Sequence, residues 1–232
     1  MRLTRRAVRR TAVAGVATLG VGTLAIAALH HPAARPLLAK AGWACPSHRV
    51  GAAEVQAARD YGLAALRGTV RAPARPALGF ELEQSAEAAV LRWAGQHRLR
   101  CRSETRGLRS LECEDVPAGA LGVPDSEGPV DSLTLAFDAG GRVVAVDALR
   151  RKLEARRASD SLRAAGARLA ERLGGPTETM GASDAGYLAG APFRTAFVRY
   201  RFRDYVATVA AVHLPEGGIA VREQYLAVST AG

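Results

Sequence analysis

Chemistry by side chains needs histidine, carboxylate, thiol or hydroxyl groups at workable spacings, and this sequence offers few. After its first 45 residues the histidines are His48, His97 and His213, and none has a sequence neighbour that would make it a base or a metal ligand. His97 falls at a helix C-terminus, where the helix dipole alone favours it. Glu112 and Glu114 share one face of a strand; paired carboxylates can move protons or hold Ca²⁺, but on a strand they also form the solvated side of a sheet, which is the reading taken. Gly181-Ala-Ser-Asp-Ala-Gly186 sets a serine between glycines without the spacing of a nucleophile elbow, and nucleotide-binding loops, dinucleotide fingerprints and zinc-protease motifs are absent. No catalytic residue, cofactor or metal site is therefore assigned. An exported hydrolase remains the alternative, with His213, Glu223 and a hydroxyl meeting only in three dimensions.

The thiols are more informative. Cys101 and Cys113 lie at alternating positions with Leu99 and Leu111 on two strands separated by a turn containing Gly107, so they can face each other as a disulfide. Two buried thiols that merely pack are the other reading. Cys45 is left over; Gly42-Trp43-Ala44 ahead of it matches a lipidation signal only at the final small residue.

A binding surface is suggested near the C-terminus. Arg199, Arg201 and Arg203 alternate with Val198, Tyr200 and Phe202. This gives a strand with one apolar and one arginine face, and arginine and aromatic residues are enriched at protein interfaces. Ala196-Phe-Val-Arg-Tyr200 echoes half of an RNA-recognition strand, but the preceding basic-Gly-aromatic half is missing, so nucleic acid is not the expected partner.

The N-terminus addresses the chain. Arg2, Arg5, Arg6, Arg9 and Arg10 precede 19 uncharged residues, Thr11 to Leu29, ending near the A-x-A-like Ala25-Ile-Ala27. At 1.5 Å per residue the run is about 28 Å long, close to a hydrocarbon core of about 30 Å. Residues 1–29 are thus expected to be a signal peptide or, uncleaved, a membrane anchor, and Arg5-Arg6 resembles a twin-arginine signal. Export to a periplasmic or extracellular space, or anchoring in the inner membrane, follows. Seven of the 32 basic residues precede Cys45, leaving 25 against 22 acidic residues; a net +3 gives little electrostatic case for nucleic acid.

Elements must position these groups. Residues 30–46 read as a tether and 47–76 as a helix with an apolar stripe of Val55, Ala58, Leu63 and Leu66, then a stiff Pro73-x-x-Pro76 linker. A first α+β unit spans 77–150: a helix capped by Ser85, strands around Cys101 and Cys113, and a hairpin at Asp138-Ala-Gly-Gly141. A second spans 151–232: a helix capped by Ser159 or Asp160 and stopped by Gly174-Gly175-Pro176, then strands Thr195 to Phe202, Tyr205 to Leu214 and Ile219 to Val228. The fold class is α+β, two helix-then-antiparallel-meander units sharing a layered core, with helices on one sheet face.

The helix-then-hairpin order, with Leu135-Ala-Phe-Asp-Ala-Gly-Gly-Arg-Val143 and Leu173-Gly-Gly-Pro-Thr177, resembles small envelope modules of the outer-membrane assembly lipoprotein and beta-lactamase inhibitor protein type. The resemblance implies a protein-binding or assembly role outside the cytoplasm with an envelope protein as partner. It assigns no individual residue.

Overall fold

The computed structural model describes residues 52–106 and 108–228. The leader, the tether, Cys45, His48 and Gly107 lie outside the described residues. Helix α1 (Ala52–Ala64) precedes a small hairpin of β1 (Pro76–Ala77) and β2 (Phe80–Glu81). Next come α2 (Glu87–Gln96), β3 (Arg100–Arg106), β4 (Leu108–Val116), two 3₁₀ turns (Ala118–Leu121 and Asp125–Glu127), β5 (Val130–Phe137) and β6 (Val143–Leu153). Helix α3 (Ala155–Leu173), β7 (Glu178–Met180), α4 (Ala185–Ala189), β8 (Thr195–Arg201), β9 (Tyr205–Leu214) and β10 (Gly218–Ala227) complete the order. The fold is mixed α+β around one antiparallel eight-stranded sheet with strand order β3-β4-β5-β6-β10-β9-β8-β7.

Side-chain alternation separates the two faces of this sheet. On β5, Leu133, Leu135 and Phe137 enter the core while Ser132, Thr134 and Ala136 face the other way. β9 repeats the phase with Tyr205, Ala207, Val209 and Ala211. Helix α3 covers that side of β8, β9 and β10, burying Ala158, Leu162, Ala165, Leu169 and Leu173 at helical spacing. Val90 and Ala94 of α2 join the same core, and Trp93 packs edge-on against Phe80 while its indole N–H donates to the Ala120 carbonyl at 2.9 Å.

Three local expectations change. Helix α3 begins at Ala155, so Ser159 and Asp160 sit inside it: β6 runs to Leu153, and the buried stripe starts a turn early at Ala158. Ser85 does not cap α2; Ala86 holds the capping position, and the Ser85 hydroxyl accepts from the Glu81 backbone N–H at 3.0 Å, closing the turn after β2. Helices also do not keep to one face. Leu63 of α1, with Leu66 after it, packs on Val206, Leu226 and Val228, a cluster on the side opposite α3. Of the expected stripe, Leu63 is buried and Leu66 half-buried, but Ala58 is exposed; the Val55 side chain lies outside the described residues.

The proline linker is fixed in place. The Ala72 N–H donates to Asp204 Oδ1 at 2.9 Å, Arg71 donates to Oδ2 at 3.3 Å, and Tyr205 donates its hydroxyl proton to the Pro76 carbonyl at 2.5 Å. At Gly68 an added Cβ would come within 2.2 Å of the Arg201 carbonyl oxygen, so only glycine admits this approach of chain to β8.

Cys101 and Cys113 face each other across β3 and β4 and form the expected disulfide, with Cα atoms 4.1 Å apart and a sequence separation of 12. A loop of this length should contribute about 3 kcal/mol. Replacing both by serine should therefore lower the urea unfolding free energy by about 2–3 kcal/mol. Equilibrium titrations of the oxidised, reduced and substituted chains check this; indifference to reductant would mean that the bridge does not form.

Candidate functional site

The sheet face away from α2 and α3 carries its side chains in rows across the strands, because each antiparallel register sets one residue beside the next. One row is polar across all eight strands. It begins with Glu178, Arg199, Thr208 and Gln224. It continues through Asp147, Thr134, Glu112 and Arg102. Hydrogen bonds tie it along its length: Arg199 donates to Thr208 and to Glu178 at 3.2 Å each, Gln224 to Asp147 at 3.2 Å, and Arg102 to Glu112 at 2.6 Å. Arg222, on the neighbouring row, holds both oxygens of Asp147. Towards β3 the face opens into a depression of about 610 Å³ lined in part by Arg100, Arg102, Glu112, Glu114, Asp131 and Arg151.

The expected site residues divide over this geometry. Arg199 and Arg201 lie on this face and share Glu178, at 3.2 and 2.7 Å. Arg203 does not join them: it sits exposed in the β8–β9 turn, where its N–H donates to the Val70 carbonyl at 2.7 Å. Strand β8 ends at Arg201 because Asp204 turns the chain to receive the linker, which removes Arg203 from the alternation. Glu112 and Glu114 share the face as expected, with Arg102 paired to Glu112.

His213 and Glu223 are not brought together. His213 stands opposite Ile219, four residues along β10 from Glu223, a separation of about 13 Å at strand rise. Its Nδ1 lies 3.0 Å from the Ala191 carbonyl. Asp184, within the glycine-flanked serine segment, caps α4 by accepting from the Tyr187 N–H at 2.8 Å.

Glu223 belongs to a buried ionic cluster beneath α3. Arg150 of β6 and Glu223 of β10 are both fully buried and hydrogen-bonded at 2.5 Å. Arg168 of α3 donates to Glu223 at 3.1 Å and to Glu127 of the second 3₁₀ turn. Tyr225 donates its hydroxyl proton to Glu223 at 2.5 Å, and burial first, then the Glu223 charge, push that phenol well above its ordinary range. Two arginines thus face two carboxylates, with Glu127 Oε2 and Arg150 Nη2 only 3.6 Å apart yet not hydrogen-bonded. A crevice of about 240 Å³ runs beside the cluster between Leu78, Leu121, Val123 and Leu169, and reaches Arg168 and Tyr225.

Sequence reasoning passed over Arg150, Arg168 and Glu127. A usable signal was present for two cluster members: in Val146-Asp-Ala148-Leu-Arg150 and Val221-Arg-Glu223-Gln-Tyr225 a charge occupies the buried phase of an apolar alternation. Comparison with known proteins gives no match: no family model, no curated protein and no solved structure.

Burial, opposed by Arg168 and Arg150 and assisted by Glu223, raises the Glu127 carboxyl above its ordinary value of 4.5. A raised carboxyl favours the folded state below its unfolded value and loses that contribution as pH climbs through the folded value. The stability of the natural chain relative to Glu127→Gln should therefore decline from about pH 4.5 upward. Urea midpoints of both chains between pH 4 and 8 measure it; a difference that grows with pH would show that the arginines outweigh burial.

Proposed function

We propose that this chain is an exported or membrane-anchored, non-catalytic protein with a binding or assembly role in the cell envelope, and that the polar side of its sheet receives an envelope protein. The observation that carries the reading is the polar row spanning all eight strands on the face away from α3. Its arginines pair with carboxylates on the same face, so a partner meets a fixed pattern of alternating charge rather than a patch of one sign. Such a pattern favours selection among protein partners over adhesion to a polyanion.

The disulfide is compatible with an oxidising space outside the cytoplasm. Among the described residues no helix is long and apolar enough to cross a membrane, so anchoring rests on residues 11–29. The architecture is read as two units, α2 with β3 to β6 and α3 with β7 to β10, which meet where β6 pairs with β10. This arrangement suits a scaffold that offers one wide sheet to a partner, as the resemblance to small envelope modules implies.

Replacing Arg199 and Arg201 together by alanine tests the surface. Both arginines pair with a half-exposed Glu178, so the double variant should lose no more than about 1 kcal/mol of stability. Capture of envelope proteins from a membrane fraction should fall at least fivefold. Undiminished capture by a folded variant removes these arginines from the interface. Fractionation of cells expressing the full chain, with a thiol count on the product, tests the compartment: cytoplasmic protein with three free thiols would overturn export.

A further inference from the structure

The eight-stranded sheet ends in two unlike edges, β7 and β3. An edge strand presents a row of N–H and C=O groups that another strand can pair with, and natural chains blunt it by shortness, proline, a bulge or charge. Edge β7 is blunted by its length of three residues. Edge β3 runs seven residues without proline or glycine, and its pairing with β4 shows no register shift from Arg100 to Arg106. Among the described residues no strand lies on its outer side.

The bridged cysteines show which backbone groups face outward. In an antiparallel ladder, residues directly opposite alternate between hydrogen-bonded pairs, with Cα atoms about 5.5 Å apart, and non-hydrogen-bonded pairs about 4.5 Å apart. Cys101 and Cys113, at 4.1 Å, are a pair of the second kind. Arg100, Arg102, Glu104 and Arg106 therefore direct their backbone groups at β4, while Cys101, Ser103 and Thr105 point theirs out of the sheet edge. Among the described residues these three make no backbone hydrogen bond beyond the sheet. Because the disulfide fastens β3 to β4 in this register, the outward set is fixed.

The charges on β3 then select the strand that fits. Arg102 and Glu104 stand two residues apart on one face and pair with each other at 3.4 Å. Against a second β3 running antiparallel, with Ser103 opposite Ser103, Arg102 falls opposite the second copy's Glu104 and Glu104 opposite its Arg102. Cys101 and Thr105 fall opposite each other, so the outward groups of both chains meet in about six hydrogen bonds. Arg100 comes opposite Arg106 at the ends, but it already holds Asp115 at 2.5 Å. A slide of two residues either way, the least that keeps outward groups facing each other, sets Arg102 against Arg102 or Glu104 against Glu104, which repel. Edge charges of one sign would forbid pairing, whereas this pattern matches its own reverse.

We propose that β3 is a homodimerisation edge, on which a second copy of this chain lays its own β3 antiparallel with Ser103 on the two-fold axis. The two sheets then continue as one, and since opposed residues share a face, the polar rows of both copies lie on the same side. The proposal concerns the sheet edge and stands apart from the reading of the polar face as a partner surface.

Sedimentation equilibrium of the full oxidised chain should show a mass that rises with concentration from one chain towards two. Ser103→Pro removes the central outward N–H, which β4 does not use, and proline is accommodated on an edge strand whose N–H side faces away from the sheet. This variant should keep its urea midpoint and raise the dimer dissociation constant about tenfold or more. Glu104→Arg alone and Arg102→Glu alone each set like charges across the axis and should weaken the dimer to a similar degree. An equimolar mixture of those two chains should restore it, because every arginine at these positions then meets a glutamate. A chain that stays monomeric at every concentration, a dimer indifferent to Ser103→Pro, or a mixture no heavier than its components overturns the edge. Should the proline chain unfold, the mixture of charge variants decides.

Discussion

The pairing of β6 with β10 joins strands distant in sequence into one sheet, and the buried Arg150–Glu223 pair sits on it. Arg150 stands opposite Val221, and Glu223 opposite Ala148, so the two charges are diagonal neighbours on the face beneath α3. Without Arg150, Glu223 would keep only Arg168 and Tyr225, and without Glu223, Arg150 would keep only Glu127 at 3.6 Å; removing one partner of a buried pair typically costs about 3–5 kcal/mol. A one-residue slip would carry either charge to the opposite face and set it against the wrong neighbours. The β6–β10 register is thus specified by electrostatics as well as apolar fit. A register shift between Ile219 and Val221, with Lys152 at a positive φ of 56°, lets β6 continue past the pair into α3.

From that seam the two faces take their characters. Arg168 reaches the cluster from α3 and Glu127 from the 3₁₀ turn, so helix and turn are oriented by charge where the core offers mainly alanine, valine and leucine. Small residues such as Ala148, Ala158, Ala165, Ala207 and Ala211 permit close helix–sheet approach but supply little individual shape. The polar contacts give the orientation that large aromatics would otherwise provide. With α2 and α3 committed to this side, the other side carries the polar row and the small apolar cluster of Leu63, Val206 and Val228.

Much of this was readable beforehand because period-2 and period-3.6 patterns report burial directly. The strands around Cys101 and Cys113, the hairpin at Asp138-Ala-Gly-Gly141 and the C-terminal meander obey that rule, and the disulfide follows from their phase. What escaped depends on contacts between residues far apart in sequence. Asp204 looks like an ordinary turn residue until the linker 132 positions away donates to it. Glu127 looks like a solvated charge until Arg168 meets it, and the buried phase of Arg150 does not say that Glu223 is its partner. Arg203 continued the arginine alternation in sequence but fell outside the strand for the same Asp204 turn. The placement of α1 on the far face was hidden because Leu63 and Leu66 specify an apolar partner without saying which side of the sheet supplies it.

These constraints also order the molecule by how firmly each part is held. The seam is fixed by paired strands and buried charge, the β3–β4 edge by a covalent bridge, and the linker by Asp204 and Tyr205. Leu63 of α1 adds a small apolar cluster with Val206 and Val228 on a face otherwise rich in hydrogen-bonding groups. Local opening draws on the elements with the fewest buried apolar contacts. The strands that meet at the seam, with Val146, Ala148, Val221 and Glu223 fully buried, are therefore among the last to open.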